Sequence, residues 1–92
     1  MSKPVLINKT ATATEAVLTQ VYYGIKLLIN DATSGEGNLL IGLGNSVDDG
    51  TVSYLMLKPG ESIEEWKGIV GGKIYYKSST GNVPFRFYSE VD

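Results

Sequence analysis

Two acidic clusters contain the residue types in this sequence that are best suited to chemistry. Asp48, Asp49 and Gly50 stand together in a turn-rich stretch, and clustered carboxylate and carbonyl oxygens are the ligands that Ca²⁺ prefers. The stretch lacks the spaced carboxylates and the distal bidentate glutamate of a helix-loop-helix calcium site. An ordinary turn is therefore the favoured interpretation, and no metal requirement is predicted.

Glu64 and Glu65 form the second acidic cluster. A pair of carboxylates is the catalytic unit of most glycoside hydrolases. Adjacent residues of a β-strand point to opposite faces of the sheet, so this pair is not placed to flank one glycosidic bond. A solvated pair of charges is the favoured interpretation.

Histidine and cysteine are both absent from the 92 residues. Their absence removes the usual general base, the thiol nucleophile, and the imidazole and thiolate ligands of zinc and copper sites. A serine nucleophile would then need a lysine base in a buried site, and no residue pair suggests one. Gly42-Leu-Gly-Asn-Ser46 has glycines but neither a following helix nor the Gly-Lys-Ser/Thr ending of a phosphate-binding loop. The sequence predicts a protein that is not an enzyme and has no cofactor.

Aromatic side chains are the remaining candidates for binding. An exposed row of them would stack on sugar rings or anchor a protein interface. The rings that are candidates for such a row are Tyr22, Tyr54, Trp66, Tyr75, Tyr76 and Tyr88. In a strand, Tyr75 and Tyr76 face opposite sides, so one of them packs inward and the other outward. Packing in the core or on a sheet surface is the alternative for any single ring.

Composition excludes further classes of function. With 42% hydrophobic residues, 20% charged residues and a net charge of −2, the chain is neither disordered by composition nor a basic nucleic-acid binder. No apolar run approaches the roughly 18 residues that span a bilayer, and the N-terminus lacks the pattern of a signal peptide. The sequence predicts one compact domain, made in a cytoplasm, with neither nucleic acid nor a membrane as partner.

Short apolar runs separated by turn residues position these groups. In Lys58-Pro59-Gly60-Glu61, the proline sets φ at the second position of a type II turn and the glycine supplies the positive φ of the third. Residues 62–67 could alternatively form a single helical turn in place of a strand over 61–66. Strands are predicted over 4–8, 15–23, 25–29, 39–43, 51–57, 61–66, 73–79 and 83–90. The predicted fold is all-β: a single antiparallel β-sandwich of about eight short strands, either jelly-roll-like or immunoglobulin-like.

Periodicity also predicts which side chains face the core. In the last strand, Val83, Phe85 and Phe87 share one parity and are predicted to face inward. In the strand after Gly24, alternation predicts a half-buried strand with Ile25, Leu27 and Ile29 on one face. Residues 1–14 are predicted to be an N-terminal arm or first strand, and residues 15–92 the sandwich domain.

The C-terminal half of the chain has a recognisable order of elements. Leu57-Lys-Pro-Gly-Glu-Ser-Ile63 is followed by a short acidic strand, by Gly72-Lys-Ile-Tyr-Tyr-Lys-Ser-Ser-Thr-Gly81 and by a terminal aromatic strand. This pattern resembles small β-sandwich proteins of tailed-bacteriophage particles, which act as capsid decorations or fibre parts. A weaker similarity covers Leu40-Ile-Gly-Leu-Gly-Asn-Ser-Val47. The resemblance provides no catalytic residue.

The resemblance implies a structural virion protein that is made in the host cytoplasm. The expected function is that of a capsid decoration subunit, which binds the outer head surface and stabilises contacts between capsid subunits. Its partners would be the major capsid protein or other virion proteins. The alternative is a carbohydrate- or receptor-binding module that uses exposed aromatic residues.

Charge is unevenly distributed along the chain. Residues 31–65 contain seven acidic residues and one lysine, a net charge of −6, whereas the segments before and after each carry +2. If the fold keeps this separation, the acidic part of one copy can face the basic part of another, which predicts a homo-oligomer, with a trimer implied by analogy with decoration proteins. Acidic turns that simply face solvent are the alternative. The candidate interface residues are Lys3, Val5, Ile7, Glu64, Glu65, Trp66 and Tyr75.

Overall fold

The chain forms two antiparallel sheets that pack face to face, which confirms the predicted β-sandwich. The computed structural model describes residues 3–20, 22–33, 35–48, 54–70 and 73–91, with 66–70 described by their backbone. These ranges contain no helix, and therefore none that is long and apolar enough to cross a membrane. The strands are β1 (Lys3–Ala11), β2 (Ala16–Leu18), β3 (Tyr22–Asn30), β4 (Leu39–Leu43), β5 (Leu55–Leu57), β6 (Ser62–Val70), β7 (Ile74–Ser78) and β8 (Val83–Val91).

The strand order is that of a jelly roll. Sheet A has the order β1-β8-β3-β6 and sheet B the order β2-β7-β4-β5, so successive strands mostly alternate between the two sheets. An immunoglobulin sandwich instead places consecutive strands such as A and B, or F and G, side by side in one sheet. Of the two topologies expected from the sequence, the pairing thus selects the jelly roll.

The N-terminal stretch was expected to be either an arm or a first strand, and its described residues form a strand. β1 pairs with β8 along its whole length, from Lys3 opposite Val91 to Ala11 opposite Val83. Residues 3–11 therefore belong to sheet A of the same sandwich.

The single strand predicted over 15–23 is wrong. The chain forms β2 in sheet B and then crosses to sheet A as β3. Gly24 does not interrupt a strand but lies inside β3, where its φ of 79° accompanies a change of register against β6. Both parities of this segment are partly apolar, so the hydrophobic pattern does not mark the crossing.

The face predicted for β3 is also wrong. Ile25 and Leu28 are buried in the core, whereas Leu27 and Ile29 are half-buried and pair with the outward-facing Tyr88 and Arg86 of β8. Tyr22, Leu28 and Asn30 share one parity and are buried, whereas Ile25, next to the irregularity at Gly24, is buried out of phase with them. Apolar residues on both faces conceal this in the sequence.

β6 is longer than predicted. The strand continues to Val70, so the helical turn over 62–67 and the loop expected from Gly68 onward are wrong for the described residues, while Gly71 and Gly72 lie outside them. The strand expected over 51–57 is seen as β5, since residues 51–53 also lie outside the described ranges.

The core lies between the sheets and contains two aromatic pairs. Phe87 packs edge to face against Tyr22, with ring centroids 4.9 Å apart, and Phe85 packs likewise against Tyr76 at 5.0 Å. Val83, Phe85 and Phe87 are each at most 2% exposed. The inward register predicted for the last strand is confirmed.

The type II turn is confirmed by its geometry. Gly60 has a φ of 84°, and the Glu61 N–H donates a hydrogen bond to the Lys58 carbonyl oxygen at 2.9 Å. The Glu61 carboxylate also accepts a hydrogen bond from the Lys58 N–H at 2.7 Å. A residue with a side chain would be strained at the φ of Gly60.

Tyr22 gives the folded core a measurable dependence on pH. Burial raises the pKa of its hydroxyl above the ordinary value, and the nearby Tyr76 adds a smaller effect in the same direction. The folded chain thus holds this proton more tightly than the unfolded chain, so the associated stability is present below about pH 10 and is lost as the pH rises further. We expect Tyr22→Phe to lose less stability than the wild type between about pH 9 and about pH 11, measured by urea unfolding.

The control for this pH experiment is Tyr88→Phe, because Tyr88 is 41% exposed. It should follow the wild type across the same pH range. Identical pH profiles for Tyr22→Phe and the wild type would contradict the expectation.

Candidate functional site

The residues predicted to form an interface do not come together. Lys3, Val5 and Ile7 lie on β1 at one edge of sheet A. Glu64, Glu65 and Trp66 lie on β6 at the opposite edge, and Tyr75 lies on β7 in sheet B. Since neighbouring strands lie about 4.8 Å apart, the two edges of sheet A are separated by about 14 Å. The side chain of Trp66 lies outside the described residues.

On β1, the outward residue is one that the sequence interpretation missed. Val5 and Ile7 are partly buried and pack against the core. Leu6, between them, points outward and is 60% exposed. No local pattern in the sequence signals this, because the pairing of Leu6 with the outward Tyr88 depends on strand order.

Leu6 belongs to an apolar surface on the outer face of sheet A. It lies opposite Tyr88 of β8, and Tyr88 lies opposite Leu27 of β3. Tyr88 is 41% exposed, and Leu27 and Ile29 are half-buried. We call Leu6, Leu27, Ile29 and Tyr88 the outer patch.

Charged side chains surround the outer patch. Arg86, opposite Ile29, donates from Nε to Asp31 Oδ2 at 2.7 Å and from Nη2 to Asp31 Oδ1 at 3.1 Å. This hydrogen-bonded carboxylate raises the pKa of the Arg86 guanidinium. Glu64 of β6 continues the cross-strand row beyond Leu27. An apolar centre with a polar rim is the usual anatomy of a protein interface.

The β1 edge adjoins the outer patch. β1 is a nine-residue strand at the end of sheet A, with β8 on its one side in the described chain. An edge strand presents backbone N–H and C=O groups that an extended segment of another chain can pair with. The candidate site therefore combines apolar side chains with a backbone edge.

Asp48, the first member of the acidic turn, is engaged by a lysine. Its Oδ1 accepts a hydrogen bond from Lys77 Nζ at 2.8 Å, and this hydrogen bond raises the pKa of the Lys77 ammonium. Asp49 and Gly50 lie outside the described residues. Within the described ranges, no group of three potential ligand side chains is close enough to hold a metal ion.

The glycine-containing turn before Asp48 is held against sheet B by Glu15. The Glu15 carboxylate accepts hydrogen bonds from the Ser46 hydroxyl at 2.7 Å and from the Val47 N–H at 2.8 Å. Gly42 lies beneath this turn, where a Cβ would collide with the Asn45 carbonyl oxygen. These contacts give the glycine a packing role and pin the turn to the sheet.

Glu64 and Glu65 are both exposed at the second edge of sheet A. Glu65 has a φ of 61°, in the left-handed region that few residues other than glycine adopt. The pair thus places two carboxylates at an irregular edge strand, where they face solvent.

The exposed tyrosines do not form one platform. Tyr88 lies on the outer face of sheet A, whereas Tyr54 is 47% exposed beside β5 of sheet B. Tyr54 borders a shallow apolar depression that it forms with Ile41, Leu43 and Leu55. Of the adjacent pair on β7, Tyr76 is buried and Tyr75 is half-buried, so they face opposite sides as predicted.

One face and one edge of sheet A bring together three kinds of group that a protein contact can use. The outer patch supplies apolar area, the β1 edge supplies backbone hydrogen-bonding groups, and Arg86 and Glu64 supply charge at the rim. In comparisons with known proteins, no protein-family model, no curated protein and no solved structure matches this chain.

Proposed function

We propose that this chain is a structural protein of a tailed-bacteriophage particle, namely a capsid decoration subunit that binds the outer head surface and stabilises contacts between capsid subunits. It acts by binding and not by catalysis. The observation that carries the proposal is the outer patch, in which Leu6 is 60% exposed and Tyr88 41% exposed on one sheet face. Exposed apolar patches with a polar rim mark sites of interaction with other macromolecules.

Two further features support a partner within the virion. The elements from Leu57 to the terminal strand resemble those of small virion β-sandwich proteins. The jelly-roll order is shared with viral capsid domains, although lectins and cupins have it too, so it supports the proposal by analogy. The partners are the major capsid protein or other virion proteins, and the chain is made in the host cytoplasm and acts in the virion.

A carbohydrate- or receptor-binding module is the second candidate. It is favoured by Tyr54, which is 47% exposed beside the apolar depression on sheet B. It is the weaker candidate because Tyr54 and Tyr88 lie on different sheets and cannot stack on one sugar ring.

Replacing Leu6 with glutamate tests the proposed binding face. The exchange leaves Val5 and Ile7 in the core but puts a charge into the outer patch at its β1 side, where an unpaired charge is costly once a partner covers it. We expect binding to undecorated heads of the encoding phage to weaken at least about tenfold, measured by co-sedimentation. An unchanged melting temperature would verify that the variant is folded.

The matched control is Val17→Glu, the same kind of exchange at an apolar residue that is 41% exposed on sheet B. It should bind heads like the wild type. Equal binding by Leu6→Glu and the wild type would contradict the assignment of the face. If the wild type does not bind heads but binds immobilised glycans in a manner that Tyr54→Ala abolishes, the second candidate replaces the first.

A further inference from the structure

We propose that the chain self-associates head to tail through the two long edges of sheet A, with β6 of one copy pairing antiparallel to β1 of the next. The occupant of the β1 edge, which pairs with β8 alone among the described strands, is thus a second copy of this chain. The inference concerns the purified protein and does not depend on the presence of a phage particle.

The two sheets differ in the strands at their edges. Sheet B ends in β2 and β5, each of three residues, whereas sheet A ends in β1 and β6, each of nine residues. Very short edge strands are one means by which proteins avoid pairing with other chains. The long edges of sheet A have the length to add a strand by backbone hydrogen bonding.

The directions of the two edge strands suit such pairing. β1 is antiparallel to β8, β8 to β3, and β3 to β6, so β1 and β6 run in opposite directions. A second copy that lies beside β1 in the same orientation presents its β6 antiparallel to β1. Pairing therefore continues the antiparallel sheet without turning either copy over.

Charge favours this arrangement over symmetric pairing of like edges. β1 contains Lys3 and Lys9 and no acidic residue, whereas the described side chains of β6 include the exposed Glu64 and Glu65. Pairing two β1 strands would bring together two edges that each carry +2 in the sequence, and pairing two β6 strands would bring together two edges that each carry −1 from Glu64, Glu65 and Lys67. Head-to-tail pairing joins opposite charges, and like charges directly opposite each other are destabilising in sheets.

Strand direction also determines which lysine takes part. Antiparallel alignment places the C-terminal half of β1, with Lys9, beside the N-terminal half of β6, with Glu64 and Glu65. Lys3 falls beside the other half of β6, which contains Lys67 in the sequence. Lys9 lies opposite the inward-facing Phe85, whereas Glu64 continues the outer row of Leu27. Lys9 therefore attracts the acidic end of β6 as a whole and does not form a direct pair with Glu64. A heterologous contact of this kind gives a ring where the rotation closes and an open chain where it does not.

Lys9→Glu and Lys3→Glu form a matched pair of variants, because both lysines are exposed and lie on the same strand with the same parity. We expect Lys9→Glu to raise the dissociation constant for self-association about tenfold, and Lys3→Glu to change it by less than about twofold. Molar mass by light scattering and sedimentation over a concentration series at low salt measures both. High salt should weaken association of the wild type, because exposed charges are screened.

A mixing experiment tests the head-to-tail order directly. The double variant Glu64→Lys with Glu65→Lys should associate as weakly as Lys9→Glu when each is alone. Mixing the two should restore association, because each variant supplies the edge that complements the reversed edge of the other.

Three outcomes would overturn the inference: a wild type that stays monomeric at all concentrations, equal effects of Lys9→Glu and Lys3→Glu, or no rescue on mixing. Stronger association of Lys9→Glu would indicate pairing of two β1 strands instead. Because heads are not used, failure here leaves the result of the head-binding experiment intact.

Discussion

Replacing Phe87 with alanine is expected to lower the free energy of unfolding by about 3 to 5 kcal/mol. Phe87 is 2% exposed and packs edge to face on Tyr22. It lies on β8, between β1 and β3, so strands on both sides restrict collapse of the cavity that the exchange creates. Total stability for a domain is on the order of 5 to 15 kcal/mol, so this loss is a large fraction of it. Urea unfolding measures the change.

The control for Phe87→Ala is its neighbour on the same strand. Tyr88 is 41% exposed on the outer patch, so Tyr88→Ala should cost less than about 1 kcal/mol. A larger loss for Tyr88→Ala than for Phe87→Ala would mean that the two faces of β8 are assigned the wrong way round. If Phe87→Ala does not fold, Phe87→Leu gives the same comparison with a smaller cavity.

The face of β8 could be predicted because its two parities differ in character. The outward positions Pro84, Arg86 and Tyr88 include a charged and a polar side chain, while the inward positions Val83, Phe85 and Phe87 are all apolar. The turn at Pro59 and Gly60 could be predicted for a similar reason, since each residue meets a local requirement on φ. Features that depend on local chemistry are therefore readable from the sequence.

The face of β3 could not be predicted, because both sides of this strand carry apolar residues. Leu27 and Ile29 are apolar although they lie on the outer face of sheet A, where they form part of the outer patch. An outer face that is itself apolar erases the contrast between the two sides of a strand.

The candidate site could be predicted only in part. The expected interface residues included some on β1 and some on β6, which are the two edges of sheet A. That β8 and β3 lie between these two strands depends on strand order. Strand order arises from long-range pairing, which no local pattern encodes. Leu6 was missed because the β-branched Val5 and Ile7 on either side were preferred, and their burial is known only once β1 is placed.

The two proposed contacts are geometrically compatible. Edge pairing between copies uses the backbone of β1 and β6, whereas the outer patch lies on the face of sheet A and stays uncovered. Copies joined edge to edge would therefore present several outer patches on one continuous face. Several linked weak contacts bind a repetitive surface more tightly than one contact does.

Asn30 is the buried polar residue on which one end of the sandwich depends. Its side chain is fully buried, with Nδ2 donating to the Leu57 carbonyl at 2.9 Å and Oδ1 accepting from the Ala32 N–H at 2.8 Å. Its own N–H donates to the Glu61 carbonyl at 3.0 Å, and its carbonyl accepts from the Gly60 N–H at 2.8 Å. One residue thus connects β3, the end of β5 and the type II turn.

Asn30→Leu is expected to lower the free energy of unfolding by about 3 to 4 kcal/mol, because it leaves the buried Ala32 N–H and Leu57 carbonyl without partners, at about 1 to 3 kcal/mol each. Asn8→Leu on the exposed part of β1 is the control and should stay within about 0.5 kcal/mol of the wild type.

Asn30→Asp separates the loss of hydrogen bonds from a loss of packing, because it conserves shape and keeps the acceptor for Ala32 while it removes the donor to Leu57. A buried carboxylate is costly when charged, so we expect its deficit relative to the wild type to be large at neutral pH and to shrink toward about pH 3, where protonation restores a donor. Urea unfolding at both pH values measures this. A deficit that does not depend on pH, or an Asn30→Leu variant as stable as the wild type, would show that the amide does not hold these segments together.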